Sequence, residues 1–148
     1  MNYSIGEVAA ATGIAISTLR YYDREGLFSN LKRSSGGIRI FSEVELDVIK
    51  IIECLKASGL TIKDIKMFFE WCKQGDDSLE KRQKLFYDRL AAMEKQMAEI
   101  QMTMNVLRYK CWYYDTAVAT GTEATAHNMP IEQLPDDIRQ YKKAAGFH

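Results

Sequence analysis

The fold is decided by residues 17–27, which read STLRYYDREGL. The part of this stretch before the glycine contains neither glycine nor proline, and Gly26 can adopt the left-handed conformation that commonly ends a helix. We therefore predict a helix over residues 16–25. A first helix is predicted just before it, over residues 4–12, and Gly13 lies in the short segment between the two. Two short helices joined by a few residues that include a glycine are typical of a helix-turn-helix.

Capping boxes mark where three helices begin. In each, a serine or threonine is followed three residues later by a glutamate or aspartate, and then by an apolar-periodic run. The pairs are Ser4 with Glu7, Ser42 with Glu45, and Thr61 with Asp64. Two further helices are accordingly predicted over residues 43–58 and 62–73, with Gly59 and Gly75 after their ends. Residues 27–41 contain short apolar runs on either side of a Ser-Ser-Gly-Gly turn and predict a two-stranded wing.

Residues 76–120 predict one long helix, because they contain neither glycine nor proline beyond residue 78. Apolar residues recur there in alternating steps of three and four, which is a heptad pattern. This seam consists of Phe86, Leu90, Met93, Met97, Ile100, Met104, Leu107, Cys111, Tyr114 and Val118. A helix of about 42 residues spans roughly 63 Å, which is too long to be buried in the core of a small chain. A partner helix is therefore expected to cover the seam. Residues 121–148 contain both prolines and are expected to form a tail with a short helix over 136–145.

Composition excludes several classes of protein. Lys plus Arg and Asp plus Glu each number 20, so overall charge does not indicate a polyanionic partner. No window approaches the roughly 20 uninterrupted apolar residues of a membrane-spanning helix, and the N-terminus does not resemble a signal peptide. We therefore expect a cytoplasmic protein without a membrane partner. No nucleophile elbow, phosphate loop or convergent acid–base set is found, so no enzyme activity, catalytic residue, cofactor or metal is predicted.

Positive charge is nevertheless concentrated in residues 20–39, which carry five cations and two carboxylates, a local net charge of +3. The cations are Arg20, Arg24, Lys32, Arg33 and Arg39. Cations and tyrosines on one helix and an adjacent hairpin can hold DNA phosphates while the helix enters the major groove. A charge run can also be a solvated face. On this observation alone, a coiled-coil interaction protein without DNA binding stays an alternative.

Three blocks of the sequence resemble the MerR family of bacterial transcription regulators. They are YSIGEVA at residues 3–9, TLRYYDREGL at 18–27, and Arg33 followed by GIRIF at 37–41. The resemblance implies a mainly α fold, with a winged helix-turn-helix DNA-binding domain over residues 1–75 and a long antiparallel coiled-coil dimerisation helix over 76–120. It also implies a homodimer that binds a palindromic operator in double-stranded promoter DNA. Such a dimer activates or represses by distorting the promoter spacer for RNA polymerase.

The resemblance also implies roles for individual residues. The DNA-binding set is Thr18, Arg20, Tyr21, Tyr22, Arg33, Gly37 and Arg39, and the dimerisation set is Phe86, Leu90, Met93, Met97, Ile100, Met104 and Leu107. Arg20 and Tyr21 would lie at the DNA, and the two wing arginines would clamp phosphates. Leu19 and Leu27 are instead interpreted as core residues. Ser29 and Asn30 stand where the wing commonly begins with prolines, and Ile38 where many members carry tyrosine, which leaves one wing contact open.

The effector is left open by the sequence. Residues 52–60, IECLKASGL, resemble the aldehyde- and thiol-stress branch of the family, in which a cysteine at the place of Cys54 is a reactive sensor. Lys50 lies one turn earlier and favours a thiolate, whereas a position late in a helix disfavours one. A reactive electrophile, a non-covalent small molecule and a merely packed Cys54 therefore all stay open. Cys72 and Cys111 fall on apolar faces and are expected to be buried.

The other candidate sites are interpreted as structural. In metal-sensing members of the family that the sequence resembles, the loop after the dimer helix usually carries cysteines. The corresponding loop here, residues 119–129, contains none. His127 and His148 are isolated in the sequence. In drug-sensing relatives, aromatic side chains line a pocket for an apolar cation, but those relatives append a large effector domain. Only about 28 residues follow the long helix here. The aromatic cluster over residues 109–115 is therefore assigned to coiled-coil packing.

Overall fold

A computed structural model describes all 148 residues, most of which are helical. The elements are α1 (Ile5–Thr12), α2 (Ile16–Arg24), β1 (Lys32–Arg33), β2 (Arg39–Ile40), α3 (Glu43–Ala57), α4 (Ile62–Lys73), α5 (Leu79–Thr120), α6 (Glu123–His127) and α7 (Asp136–Ala144). The predicted winged helix-turn-helix fold followed by a long helix is confirmed. No helix combines the length and apolar composition needed to cross a membrane. The chain packs as two compact units, residues 1–91 and 92–148.

All three capping boxes are formed, at the starts of α1, α3 and α4. Hydrogen bonds donated by Ser4 hold the pKa of Glu7 below its ordinary value. Hydrogen bonds donated by Thr61 do the same for Asp64. A carboxylate that accepts such bonds is stabilised in its charged form, so each helix begins at a residue fixed by local chemistry.

The core of the first unit lies between α2, the wing and helices α1, α3 and α4. Its buried residues are Val8, Leu19, Tyr22, Leu27, Phe28, Phe41, Ile49, Ile52, Leu55, Ile65 and Phe68. Leu19 and Leu27 are therefore core residues, as predicted. Tyr3 pairs with Phe41 through two backbone hydrogen bonds of 2.7 and 2.9 Å, which tie the start of the chain to the end of the wing.

In the second unit, the last turns of α5 are covered by the segment that follows them. Gly121 ends the helix with φ +75°, a left-handed conformation that favours glycine. The buried cluster of this unit consists of Tyr109 and Tyr113 on α5 and of Ala126 and Ile138 in the segment that follows the helix. The Tyr113 hydroxyl also donates to Glu123 Oε2 at 2.9 Å. Residues 121–148, which the sequence presents as a tail, thus pack against α5.

A different face of α5 is left uncovered. Its large exposed side chains include Phe86, Leu90, Met97, Ile100, Met104, Leu107, Tyr114 and Val118, all of them seam residues. Cys111 is exposed as well, so the expectation that it is buried is wrong for the single chain. The reason is its position on the seam between Leu107 and Tyr114. Cys72 is partly buried.

Candidate nucleic-acid interface

Helix α2 divides its side chains between the core and the solvent. Leu19 and Tyr22, three residues apart, are buried. Arg20 and Tyr21 are exposed and Thr18 is half-buried. Residues three or four apart share one helix face, so the sequence itself creates an apolar side and a side that carries cations and hydroxyl groups.

Tyr22 differs from the other predicted DNA-binding residues because only 1% of it is exposed. Its hydroxyl donates to Glu53 Oε1 at 2.7 Å and accepts from Lys56 Nζ at 2.7 Å. Burial, followed by the hydrogen bond to Glu53, raises the pKa of Tyr22. The hydrogen bond to Tyr22 in turn raises the pKa of Lys56. Tyr22 therefore joins α2 to α3, through two partners that the sequence analysis did not single out.

The wing is a two-stranded antiparallel hairpin in which Lys32 pairs with Ile40 and Arg33 with Arg39. Its turn is closed by the Gly37 amide, which donates to the Ser34 carbonyl at 2.9 Å. Gly37 has φ +78°, a value that side chains with a Cβ rarely adopt. This glycine is therefore required by the turn itself.

Asp23 connects the wing to α2. Its Oδ2 atom accepts from Arg33 Nη2 and from Arg39 Nε, both at 2.7 Å. Arg33 Nη1 also donates to the Gly37 carbonyl at 3.3 Å. Both arginine side chains remain partly exposed, 46% for Arg33 and 22% for Arg39. The sequence analysis treated Asp23 only as an opposing charge, although a carboxylate inside a run of cations was the available signal.

These contacts gather cations on one surface. Arg20 lies three residues before Asp23 and shares its helix face, while Arg33 and Arg39 reach the same carboxylate from the wing. We call this the α2–wing surface, and define it by Arg20, Tyr21, Arg33 and Arg39. A helix flanked by a cationic hairpin can contact base edges and phosphates at the same time.

Cys54, the predicted sensor, is exposed on α3. The Lys50 ammonium expected to stabilise its thiolate lies 2.9 Å from Asp47 Oδ1 and is therefore already paired. The neighbouring residue Glu53 holds the hydroxyl of Tyr22. Cys54 thus lies beside a contact between α3 and the helix of the α2–wing surface.

Helix α5 contacts the end of α3 through Arg89, which the sequence analysis also missed. Its Nη1 donates to the Ser58 carbonyl at 3.2 Å, and its Nε is buried without a partner. The Ser58 amide in turn donates to the Cys54 carbonyl at 3.0 Å. The turn that contains Cys54 is therefore hydrogen-bonded, through Ser58, to the long helix. No group of three or more His, Cys, Asp or Glu side chains is placed to hold a metal ion.

Comparisons with known proteins agree with this geometry. Residues 3–70 match the model of the MerR HTH family regulatory proteins. An HTH-type transcriptional regulator of Haemophilus influenzae is 38% identical over 136 residues, which cover 92% of this chain and 98% of that protein. The regulator AdhR of Bacillus subtilis is 34% identical over 57% of this chain and 61% of its own length. The crystal structure of HiNmlR, a MerR family regulator lacking the sensor domain and bound to promoter DNA, superposes with a TM-score of 0.79. It is 37% identical, and the match covers 91% of this chain and all of that one.

Proposed function

Since the chain belongs to the MerR family of helix-turn-helix transcriptional regulators, we propose that it binds double-stranded promoter DNA as a homodimer through its α2–wing surface. The observation that carries the proposal is that Arg33 and Arg39 of the wing both bind Asp23 of α2, three residues after the exposed Arg20. The relatives are transcriptional regulators, and HiNmlR was crystallised with promoter DNA. Both findings support the same assignment.

Each residue of the surface has a defined task in this proposal. Arg20 and Tyr21 enter the major groove on α2, with Thr18 on the same helix, where side chains can reach base edges. Arg33 and Arg39 contact phosphates from the wing, because phosphate contacts fix the register of a protein on DNA. Tyr22 acts indirectly, by fixing α2 on α3.

The second copy covers the uncovered seam of α5. A sustained apolar heptad pattern is buried when a partner helix packs against it, and we assign an antiparallel pairing of two α5 helices. Two α2–wing surfaces then read the two halves of a palindromic operator. Bending or twisting the spacer between promoter elements would change how RNA polymerase engages them, so the DNA distortion itself is the regulatory output.

The test begins by selecting duplexes from a random-sequence pool with the full-length protein. The selected sequences are expected to be palindromic. The affinity of the protein for them should fall steeply as the salt concentration rises, because phosphate contacts release counterions. Arg39→Ala should flatten that dependence by about one counterion for each protomer, while Lys95→Ala, an exposed cation of α5, should leave it unchanged. Selected sequences without two-fold symmetry, or an affinity that does not depend on salt, would refute the proposal. An unchanged slope in Arg39→Ala would remove that residue from the phosphate contacts.

We further propose that Cys54 is the site of a covalent effector, a reactive aldehyde or quinone-like compound. The thiol is exposed, and its turn of α3 contacts both α2 and α5. With an aldehyde, sulfur forms a bond to the carbonyl carbon, the carbonyl π bond breaks, and the thiol proton passes to the oxygen. An adduct beside these contacts would shift α3 and so alter the bend imposed on DNA.

Promoter-reporter induction by formaldehyde, methylglyoxal and a quinone tests this role. We compare the wild type, Cys54→Ser and a Cys72→Ser/Cys111→Ser double variant. Induction should disappear in Cys54→Ser alone. Full induction in Cys54→Ser would refute the assignment, and loss only in the double variant would move the sensor to the other cysteines.

A further inference from the structure

One carboxylate oxygen of α2 binds both wing cations of the α2–wing surface. Asp23 Oδ2 lies 2.7 Å from a nitrogen of Arg33 and 2.7 Å from a nitrogen of Arg39. We propose that Asp23 is a positioning residue, which sets the placement of the wing relative to α2 before DNA arrives. The inference deepens the proposed function and rests on it.

The wing needs such a residue because of its own register. Arg33 and Arg39 lie directly opposite each other on the two strands, and like charges in that position destabilise a strand pair. Each strand is only two residues long, and an isolated two-stranded hairpin is marginal in water. A carboxylate shared by both guanidinium groups converts the repulsion into two attractions, at distances typical of charge-assisted hydrogen bonds.

The geometry assigns different tasks to the two arginines. Arg39 contacts Asp23 only through Nε, so its two terminal nitrogens keep their donors for a phosphate, in an orientation fixed by the planar guanidinium group. Arg33 uses both terminal nitrogens within the protein, one for Asp23 and one for the Gly37 carbonyl. Arg39 is therefore the stronger phosphate contact, and Arg33 mainly holds the turn of the wing.

Two opposite consequences distinguish positioning from simple charge compensation. A carboxylate near DNA repels phosphates, so a residue that only opposed positive charge would weaken binding, and its removal would strengthen binding to all DNA. A positioning residue instead orders long side chains in the free protein, which lowers the entropy lost when the complex forms. Its removal weakens operator binding even though the surface becomes more positive.

The experiment compares Asp23→Asn with Glu25→Gln in the full-length protein. Both variants lose one negative charge at the end of α2, but the nearest cation of Glu25 is Lys66, at 3.9 Å. Asp23→Asn is expected to weaken binding to the selected operator about tenfold, or about 1.4 kcal/mol, and to reduce the ratio of operator to random-duplex affinity. Glu25→Gln should bind at least as tightly as the wild type. An Asp23→Asn variant that binds the operator equally well or better would overturn the inference.

A double-mutant cycle identifies the residue through which Asp23 acts. If Asp23 orients Arg39, Asp23→Asn should have little further effect on operator affinity in an Arg39→Ala background. Additive losses would overturn the assignment to Arg39.

A second readout requires no DNA. The Nε–H proton of Arg39 should exchange slowly with water in the wild type and rapidly in Asp23→Asn, as seen by NMR, while amides of α1 and α3 keep their protection and report an intact fold. Equal exchange of that proton in both proteins would overturn the inference. Failure of the wild type to bind any duplex would refute the proposed function and leave the NMR result valid.

Discussion

Replacing Met97 and Ile100 together with aspartate tests whether the seam of α5 is an interface between copies. These side chains are 68% and 62% exposed in the single chain. Complete burial of such a side chain contributes about 1.5–3 kcal/mol, so covering roughly two-thirds of one contributes about 1–2 kcal/mol. A two-fold symmetric dimer buries four such side chains, two from each protomer, and together they contribute about 4–8 kcal/mol to dimerisation. A dimer with micromolar affinity is held by about 8 kcal/mol, and the new carboxylates would also have to be desolvated, so the variant should be monomeric at micromolar concentration.

Sedimentation over a concentration series measures the result, with Ala98→Asp/Met102→Asp as the matched control. Both control positions are exposed on the opposite side of the helix and introduce the same two charges. The control should remain dimeric and bind the operator, whereas the seam variant should lose operator binding because one half-site provides too little affinity. A dimeric seam variant would refute the assignment of this face, and a monomeric control would show that added charge alone dissociates the chain.

Two further changes test contacts within the first unit. The lowered pKa of Asp64 means that its carboxylate stabilises the protein fully above the ordinary value, and that this contribution disappears as pH falls through the lowered one. In Asp64→Asn the melting temperature should therefore fall less steeply below about pH 4, and a slope like that of the wild type would contradict this reasoning. Arg89→Gln leaves the Ser58 carbonyl without its partner and should lower the free energy of unfolding in urea by about 1–3 kcal/mol. Lys95→Gln, on the same helix, should not, and equal stability of the two variants would show that the Arg89 contact contributes nothing.

The parts of the fold that could be predicted are those encoded by neighbouring residues. A capping box lies within four residues, as Thr61 and Asp64 show, and the seam of α5 is visible as a period. The connections between elements lie farther apart in sequence. Tyr22 and Lys56 are separated by 34 positions, and only packing brings them together.

The candidate site was predicted unevenly for the same reason. Exposure of Arg20 and Tyr21 follows from the periodicity of α2. The same periodicity places Tyr22 on the buried face with Leu19, a signal that the sequence analysis did not use when it assigned Tyr22 to the DNA-binding set. The Asp23 contacts depend on where the wing folds, which no local pattern specifies. Lys50 was expected to stabilise a Cys54 thiolate, but Asp47 lies three residues before Lys50 on the same helix face and its carboxylate pairs with the ammonium.

The two faces at the end of α5 have an evolutionary consequence. Tyr109 and Tyr113 pack against the segment that follows α5, residues 121–148, while Leu107 and Tyr114 are exposed on the seam. Separate side chains serve the two purposes, so changes in residues 121–148 need not alter the seam. Selection can therefore diversify or exchange this segment as a module without changing the side chains of the seam, through which we propose that the long helices pair.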